Sequence, residues 1–167
     1  MSAAFVSWGS LHVRRGSKRS TLCGLQTRSL ADPEPDVVGR IEPRDVVDGL
    51  AKGSVDVVDV REENSREGGW LVGSRKIPFS NLISKAGKGY ADDFSTSAKI
   101  VFHAGDGQVM AAVAARTLHR SLKARHHKNE AEVFIIEGGF GALVRHFHTR
   151  SKLFKELDLD YWISNAP

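Results

Sequence analysis

The chain has 167 residues, enough for one domain with some left over, and its 41% hydrophobic content suffices for one soluble core. No apolar run approaches the ~20 residues of a membrane span, and a single cysteine, Cys23, excludes an intrachain disulfide. Residues 1–31 carry a charge of +5, so the formal net charge of +4 leaves −1 for the rest. Charge therefore gives no reason to assign nucleic-acid binding to the globular part.

The amino-terminal segment predicts either a targeting sequence or a tail. Residues 1–31 are rich in arginine, serine and small residues, lack acids and have no continuous apolar stretch, which excludes a secretory signal. The pattern is typical of a mitochondrial transit peptide. The alternative is a basic tail that docks on a partner, and in that case we expect the protein in the cytoplasm. Residues Asp32–Asp36, which follow this basic segment, are acidic and include two prolines, as expected of a linker. We therefore predict a leader or tail plus linker at 1–36 and a domain at 37–167.

Strand and helix patterns alternate through the predicted domain. Val37–Ile41 and Val55–Val60 predict strands, and between them Glu42–Pro43 opens a helix that Gly53 ends. The later predicted elements are a helix at Asn81–Ala86, a loop at Gly87–Ser97, a strand at Ile100–Phe102, a helix at Met110–Ala124, a strand from Val133 and a helix at Ala142–Phe147. This alternation predicts an α/β fold whose central parallel sheet has helices on both faces.

The segment after the predicted strand Ile100–Phe102 is the candidate functional site. It consists of His103, Ala104, Gly105, Asp106, Gly107, Gln108, Val109 and Met110 and leads into the alanine-rich helix. The glycines permit a tight loop. A strand, a glycine loop and a helix amino terminus form a cradle whose backbone N–H groups and helix dipole favour an anion.

This segment resembles the active-site loop of rhodanese-like domains, especially the branch with the cell-division-cycle dual-specificity phosphatases and the arsenate reductases. The loop of that family is His-Cys, five variable residues and Arg. His103 matches the His, whereas Ala104 and Met110 stand at the Cys and Arg positions. The resemblance covers roughly residues 37–165 and implies a rhodanese-like fold with a central parallel sheet of about five strands.

Three further motifs carry the resemblance in the family's order. They are Asp59-x-Arg61 after a strand, a Gly69-to-Pro78 segment with Trp70 in place of the usual histidine, and Gly138-Gly139-Phe140 after the last strand. The resemblance implies that Asp59 and Arg61 lock the loops at one end of the sheet. It also implies that the glycine pair turns the chain under the active-site loop.

The resemblance further implies that the cradle is kept while its chemistry is removed. In the active family the Cys attacks as a thiolate and the Arg grips the substrate oxyanion. The methyl group of Ala104 cannot attack, Met110 carries neither charge nor donor, and Asp106 would repel an anionic substrate. We therefore predict no catalytic residue, no cofactor and no metal, and we expect His103 to be a structural histidine that points into the core. The histidines in the charged turn Lys123–Asn129 are adjacent and do not face one ligand, so we expect a solvated loop there.

These observations predict a non-catalytic subunit of a larger, mitochondrial assembly that contacts protein partners and has no small-molecule substrate. RNA is a further candidate partner if the assembly is a ribonucleoprotein. The candidate contacts are Arg116, Arg120 and Lys123 on the helix, and Trp70 and Phe140, for which core packing is the alternative. Two other hypotheses remain: an enzyme of the phosphatase, arsenate reductase or sulfurtransferase type that uses a group other than Cys, and an oxyanion-binding sensor. At the carboxyl terminus, the residues expected to fasten the chain onto the core are Phe154, Leu157, Leu159, Tyr161, Trp162 and Ile163.

Overall fold

The computed structural model describes residues 38–85, 87–105, 108–125 and 131–164. The predicted leader and linker, Cys23 and most of the Lys123–Asn129 turn lie outside these ranges. In chain order the elements are β1 (Gly39–Ile41), α1 (Pro43–Lys52), β2 (Asp56–Asp59), β3 (Trp70–Leu71), β4 (Arg75–Lys76), α2 (Phe79–Ser84), β5 (Lys99–His103), α3 (Gln108–Ala124), β6 (Glu132–Ile136), α4 (Gly139–Phe147), β7 (Phe154–Lys155) and α5 (Leu159–Ser164).

Five of the strands form one parallel sheet in the order β1-β6-β5-β2-β4. The predicted α/β fold with a parallel sheet of about five strands is thereby confirmed. The register places Asp59, the last residue of β2, directly opposite His103, the last residue of β5. Parallel strands end at the same edge of a sheet, so the candidate loop and the Asp59 motif lie side by side.

Helices cover both faces of this sheet. Consecutive strand residues point to opposite faces, and accordingly Val58 and Phe102 lie in one buried cluster with α2 and α3. Their neighbours Val57 and Val101 lie in a second cluster with α1, α4 and residues of α5. The central strands β2 and β5 are therefore buried on both sides, as their apolar runs predicted.

The helix limits follow local chemistry closely. α1 begins at Pro43 and is closed by Gly53 in the left-handed conformation at φ +66°, as the sequence predicts. α2 begins at Phe79, two residues before the predicted start, and the Pro78 carbonyl accepts from the Leu82 amide at 3.0 Å. The predicted loop Gly87–Ser97 contains one 3₁₀ turn, at Asp92–Phe94.

The carboxyl-terminal segment is fastened through a second, antiparallel ribbon. β7 pairs with β3, which places Leu71 opposite Phe154. Trp162 is buried and its indole N–H donates to the Gly68 carbonyl at 2.7 Å. The expected fastening is confirmed for Phe154, Trp162 and the partly buried Leu157. The expectation is wrong for three exposed residues, Leu159, Tyr161 and Ile163. The short helix α5 can turn only one face to the core.

Candidate functional site

The carboxyl ends of β2 and β5 carry a buried ion pair. The Asp59 carboxylate accepts from Arg61 at Oδ1, 3.0 Å from Nε, and at Oδ2, 2.7 Å from Nη2. Both residues are at most 2% exposed. Arg61 Nη2 also donates to the Gly69 carbonyl at 2.8 Å. The pair therefore ties the end of β2 to the segment that enters β3, the loop-locking role that the resemblance implies.

A second arginine reaches the same carboxylate. Arg66 Nε lies 3.5 Å from Asp59 Oδ2, and the Arg66 side chain is 8% exposed. Burial alone would raise the pKa of the Asp59 carboxyl, but the nearby positive charges of His103 and Arg61 outweigh burial and lower it. At neutral pH the Arg61 charge is the one that acts, because His103 is then neutral, as shown next. Sequence reasoning missed Arg66, which stands in a polar run with no pattern that marks it as buried.

His103 is fully buried and contacts both motifs. Its Nδ1 lies 3.3 Å from the Ala104 carbonyl oxygen and 3.9 Å from Asp59 Oδ1. Burial lowers the pKa of His103, as does the charge of Arg61, and Asp59 only partly opposes them. A carbonyl oxygen can only accept, so the neutral ring that makes this contact carries its proton on Nδ1. Nε2 is buried and has no hydrogen-bond partner among the described residues.

Phe140 joins the ion pair to the histidine. Its ring stacks on His103 with centroids 5.5 Å apart, and the Arg61 guanidinium carbon lies 4.3 Å from its centroid. Such cation–π contacts strengthen when they are desolvated. Phe140 is fully buried, so of its two predicted roles, partner contact and core packing, the structure shows core packing. Trp70 is half-buried, with Lys76 Nζ 3.2 Å from its ring centroid.

The start of the candidate loop is held by the backbone of α4. The Phe140 N–H donates to two carbonyl oxygens, those of Ala104 at 3.0 Å and Gly105 at 2.9 Å. This approach requires glycine at position 139, where φ is +60° and a Cβ atom would lie 1.9 Å from the Gly105 oxygen. The glycine pair therefore turns the chain under the loop, as the resemblance implies.

The rest of the loop leads into the first turn of α3. Asp106 and Gly107 lie outside the described residues. The side chain of Gln108 accepts from Arg40 Nη1 at 2.6 Å, a contact that the sequence did not predict. Val109 and Met110 are 76% and 42% exposed, whereas Ala104 is fully buried at the end of β5. Of the two positions that the resemblance equates with the catalytic pair, the Cys position, Ala104, is therefore buried, and the Arg position, Met110, is exposed.

Comparison with known proteins decides the family. The model of the rhodanese-like domain family matches residues 42–146. The chain belongs to the rhodanese-like domain family. No curated protein sequence matches it significantly.

Solved structures share the fold of this rhodanese-like domain. Ygr203w of Saccharomyces cerevisiae, described as a homologue of single-domain rhodanese and the Cdc25 phosphatase catalytic domain, is 18% identical with a TM-score of 0.63, covering 78% of this chain and 95% of its own. The As-Sb reductase of Leishmania major is 22% identical with a TM-score of 0.63, covering 70% and 84%. A rhodanese-related protein of Thermoplasma volcanium is 20% identical with a TM-score of 0.51, covering 65% and 92%. At these identities the likeness shows the fold alone.

Several described side chains around the rhodanese-like loop make structural contacts. Ala104 contributes a methyl group, and the two buried arginines are bound to Asp59. Ser80 lies on α2, where its hydroxyl donates to Glu62 at 3.0 Å. Within residues 38–85, 87–105, 108–125 and 131–164, no group of three or more His, Cys, Asp and Glu side chains is placed to hold a metal. Over the same ranges, no helix has the length and apolar character needed to cross a bilayer.

The lowered pKa of His103 predicts a loss of stability in mild acid. In the unfolded chain the ring takes up a proton below its ordinary pKa of 6.5, whereas the folded ring resists protonation. The free energy of unfolding should therefore fall as the pH drops below 6.5 toward the lower pKa of the folded state. Asp59, whose folded pKa is also lowered, should add a loss only as the pH falls below 3.8. Urea titrations at a series of pH values, followed by tryptophan fluorescence, measure both losses.

His103→Gln isolates the first of these losses. The substitution should flatten the pH dependence in mild acid, whatever it does to stability at neutral pH. His146→Gln, at an exposed position on α4, is the control and should leave the dependence intact. A slope that His103→Gln does not change would show that another group titrates.

Proposed function

We propose that this rhodanese-like domain is non-catalytic and serves as a structural and interaction subunit of a larger, mitochondrial assembly. The observation that carries the proposal is Ala104. This residue directly follows β5, and its carbonyl accepts from the Phe140 amide, at the place where the resemblance puts the nucleophile. An alanine there leaves the framework of the site intact and supplies no atom that can form a covalent intermediate.

The charges around the loop support the same proposal. Anion binding in the active family needs a positively charged side chain at the helix start, and the resemblance puts Met110 there. Arg61 and Arg66 are both buried, and both pair with the Asp59 carboxylate, at 2.7 and 3.5 Å. Turning Arg61 to a substrate would take the closest cation, at 2.7 Å, away from the buried Asp59 carboxylate. We infer that the domain keeps the fold without the two side chains that carry the chemistry of the active family. Such a loss is possible because a fold does not by itself determine a function.

Location and partners rest on the composition of residues 1–31 and on the proposed loss of chemistry. Native protein carrying a carboxyl-terminal tag, purified from mitochondria with its associates, tests both. We expect a large complex and a mature amino terminus within the leader. Ribonuclease treatment of the complex separates an RNA partner from protein partners. A lone chain recovered from the cytoplasm would overturn this part of the proposal.

Activity assays test the absence of catalysis directly. The full chain should turn over neither thiosulfate nor para-nitrophenyl phosphate. Turnover that is abolished by His103→Ala or Asp106→Asn would show an enzyme that uses another group. An oxyanion sensor would instead show a rise in melting temperature with millimolar phosphate, sulfate or arsenate.

Introducing the Cys and Arg of the active family at positions 104 and 110 tests the same proposal by a gain of function. In a Cys23→Ser background, Ala104→Cys provides a single thiol at the end of β5, four residues before the 17-residue helix α3. Thiols near helix amino termini ionise more readily, so we expect its pKa to lie below the ordinary ~8.5. Adding Met110→Arg should confer weak phosphatase activity. Thiolate absorbance against pH measures the first effect, and a thiol with an ordinary or raised pKa would contradict a preserved cradle.

A further inference from the structure

The ribbon of β3 and β7 carries an aromatic ring between two lysines. Trp70 stands opposite Lys155, and Leu71 stands opposite Phe154. Leu71 and Phe154 are buried, so their strand neighbours Trp70 and Lys155 occupy the outer face of the ribbon. The Lys155 ammonium lies 5.8 Å from the Trp70 ring centroid, and that of Lys76, on β4, lies 3.2 Å from it. The half-buried indole therefore lies beside two cations.

A second ring in the same part of the chain also contacts a cation. Phe147, the last residue of α4, is half-buried, and the Arg150 guanidinium carbon lies 5.1 Å from its ring centroid. The Arg150 N–H donates to the Phe147 carbonyl at 2.8 Å, and the Leu153 N–H donates to the Arg150 carbonyl at 2.9 Å. Each such turn keeps its two ends within about 7 Å. The Leu153 carbonyl accepts from the Val72 amide beside β3 at 2.9 Å, so both rings belong to one compact segment.

The charge of this segment differs from that of the domain as a whole. Residues 138–155 contain four Lys and Arg side chains and no acid, although residues 32–167 sum to −1. Arg150, Lys152 and Lys155 are exposed. In the part of the chain that the structure describes, neither these three side chains nor the β4 lysine forms an ion pair. A sum over the whole domain therefore hides a local concentration of positive charge.

Aromatic rings beside cations suit a ligand that is itself both aromatic and anionic. An exposed cation–π contact, such as that of Lys76 with Trp70, is weaker than the stacking of a nucleobase on an aromatic ring. A base can therefore displace the lysine from the ring, and the released ammonium group can bind a phosphate. Single-stranded RNA offers such unstacked bases, whereas the bases of a double helix are stacked on one another.

We propose that residues 147–155, Trp70 and Lys76 bind single-stranded RNA, with a base stacked on Trp70 and phosphates held by the lysine and arginine side chains. We name this feature the basic ribbon surface. The inference rests on the proposed interaction function and names one partner and its surface. A basic surface with aromatic platforms binds single strands with little sequence preference, because stacking and phosphate contacts do not read the base edges.

Other partners fit the basic ribbon surface less well. An acidic peptide would satisfy the cations but leave the rings without an aromatic partner. A second copy of the chain in a two-fold contact would set the same cations against each other, since such contacts use one patch on both molecules. A membrane-surface element buries apolar side chains in lipid, whereas both rings here are half-buried in the protein. RNA uses the charge and the rings together.

Fluorescence anisotropy of labelled oligouridine, with the full chain at a series of salt concentrations, tests the proposal. Residues 1–31 are basic and can bind RNA by charge alone, so the test compares variants of one chain. The double variant Lys152→Gln, Lys155→Gln should reduce the slope of log affinity against log salt by about 1.4, because each phosphate contact contributes about 0.7. Trp70→Leu should weaken binding about fivefold or more and leave the slope unchanged, because stacking involves no phosphate.

α2 and the turn that follows it provide matched controls. The ammonium of exposed Lys85 lies 5.4 Å from the ring centroid of half-buried Tyr90, outside the basic ribbon surface. Lys85→Gln, Lys88→Gln removes the same charge as the double lysine variant, and Tyr90→Leu removes a ring as Trp70→Leu does. Neither control should change the affinity or the slope. Trp70→Phe should restore most of the affinity, and circular dichroism should show that all variants are folded.

Three results would overturn the proposal. They are an affinity and a slope that the variants of the basic ribbon surface do not change, equal losses in the control variants, and binding of phosphatidylserine vesicles or a polyglutamate peptide without binding of oligouridine. The outcome is separable from the proposed function. Turnover by the wild-type chain would refute a non-catalytic role without touching RNA binding, whereas an inactive chain that binds RNA only through residues 1–31 would refute the basic ribbon surface alone.

Discussion

Replacing Arg61 by alanine is expected to lower the free energy of unfolding by about 3–5 kcal/mol, the usual cost of removing one partner from a buried ion pair. The carboxylate of Asp59 is fully buried, and Arg61 is its closest cation at 2.7 Å. The substitution also removes the bond to the Gly69 carbonyl and the contact with the Phe140 ring. Urea unfolding followed by circular dichroism measures the change.

Arg75→Ala provides the comparison. Arg75 pairs with Asp56 at 3.5 Å, but the two side chains are 44% and 34% exposed. Solvent-exposed pairs of this kind contribute about 0–1 kcal/mol. Arg61→Lys keeps the charge and loses the fork-shaped contact, so an intermediate loss is expected. Equal losses in Arg61→Ala and Arg75→Ala would mean that the buried pair does not lock the loops.

Much of this architecture can be predicted from the sequence because it depends on residues that are close together in the chain. Pro43 and Gly53 fix the ends of α1 through their own backbone preferences, and the apolar strands need burial on both faces. The Asp59-x-Arg61 motif is equally local, since the two residues are only two positions apart in the chain. The burial of His103 followed from its place at the end of a central strand.

What the sequence did not reveal depends on contacts between distant segments. The ribbon of β3 and β7 is two residues long in each strand and gives no periodic pattern. Arg66 is buried only because the fold brings it to Asp59, and Arg40 meets Gln108 across 68 positions of sequence.

Gly139→Ala is expected to be the most damaging change near the loop. An added Cβ atom would lie 1.9 Å from the Gly105 carbonyl oxygen, which belongs to the backbone and cannot rotate away as a flexible side chain could. The left-handed conformation at φ +60° adds its own cost for a residue with a side chain. Together we expect a loss of about 2–5 kcal/mol, from roughly 1–2 for the conformation and 1–3 for overpacking.

Gly53→Ala separates these two causes. Gly53 has nearly the same conformation, at φ +66°, but nothing lies within 4 Å of the position its Cβ would take. It should therefore show the conformational cost alone, about 1–2 kcal/mol. The amide resonances of residues 104 and 105 should shift in Gly139→Ala and stay in place in Gly53→Ala, because only the former pushes on the loop. Equal losses of stability in the two variants, with no shift of the loop resonances, would mean that α4 does not hold the loop. The cradle would then not be preserved, and the non-catalytic interpretation of Ala104 depends on that cradle.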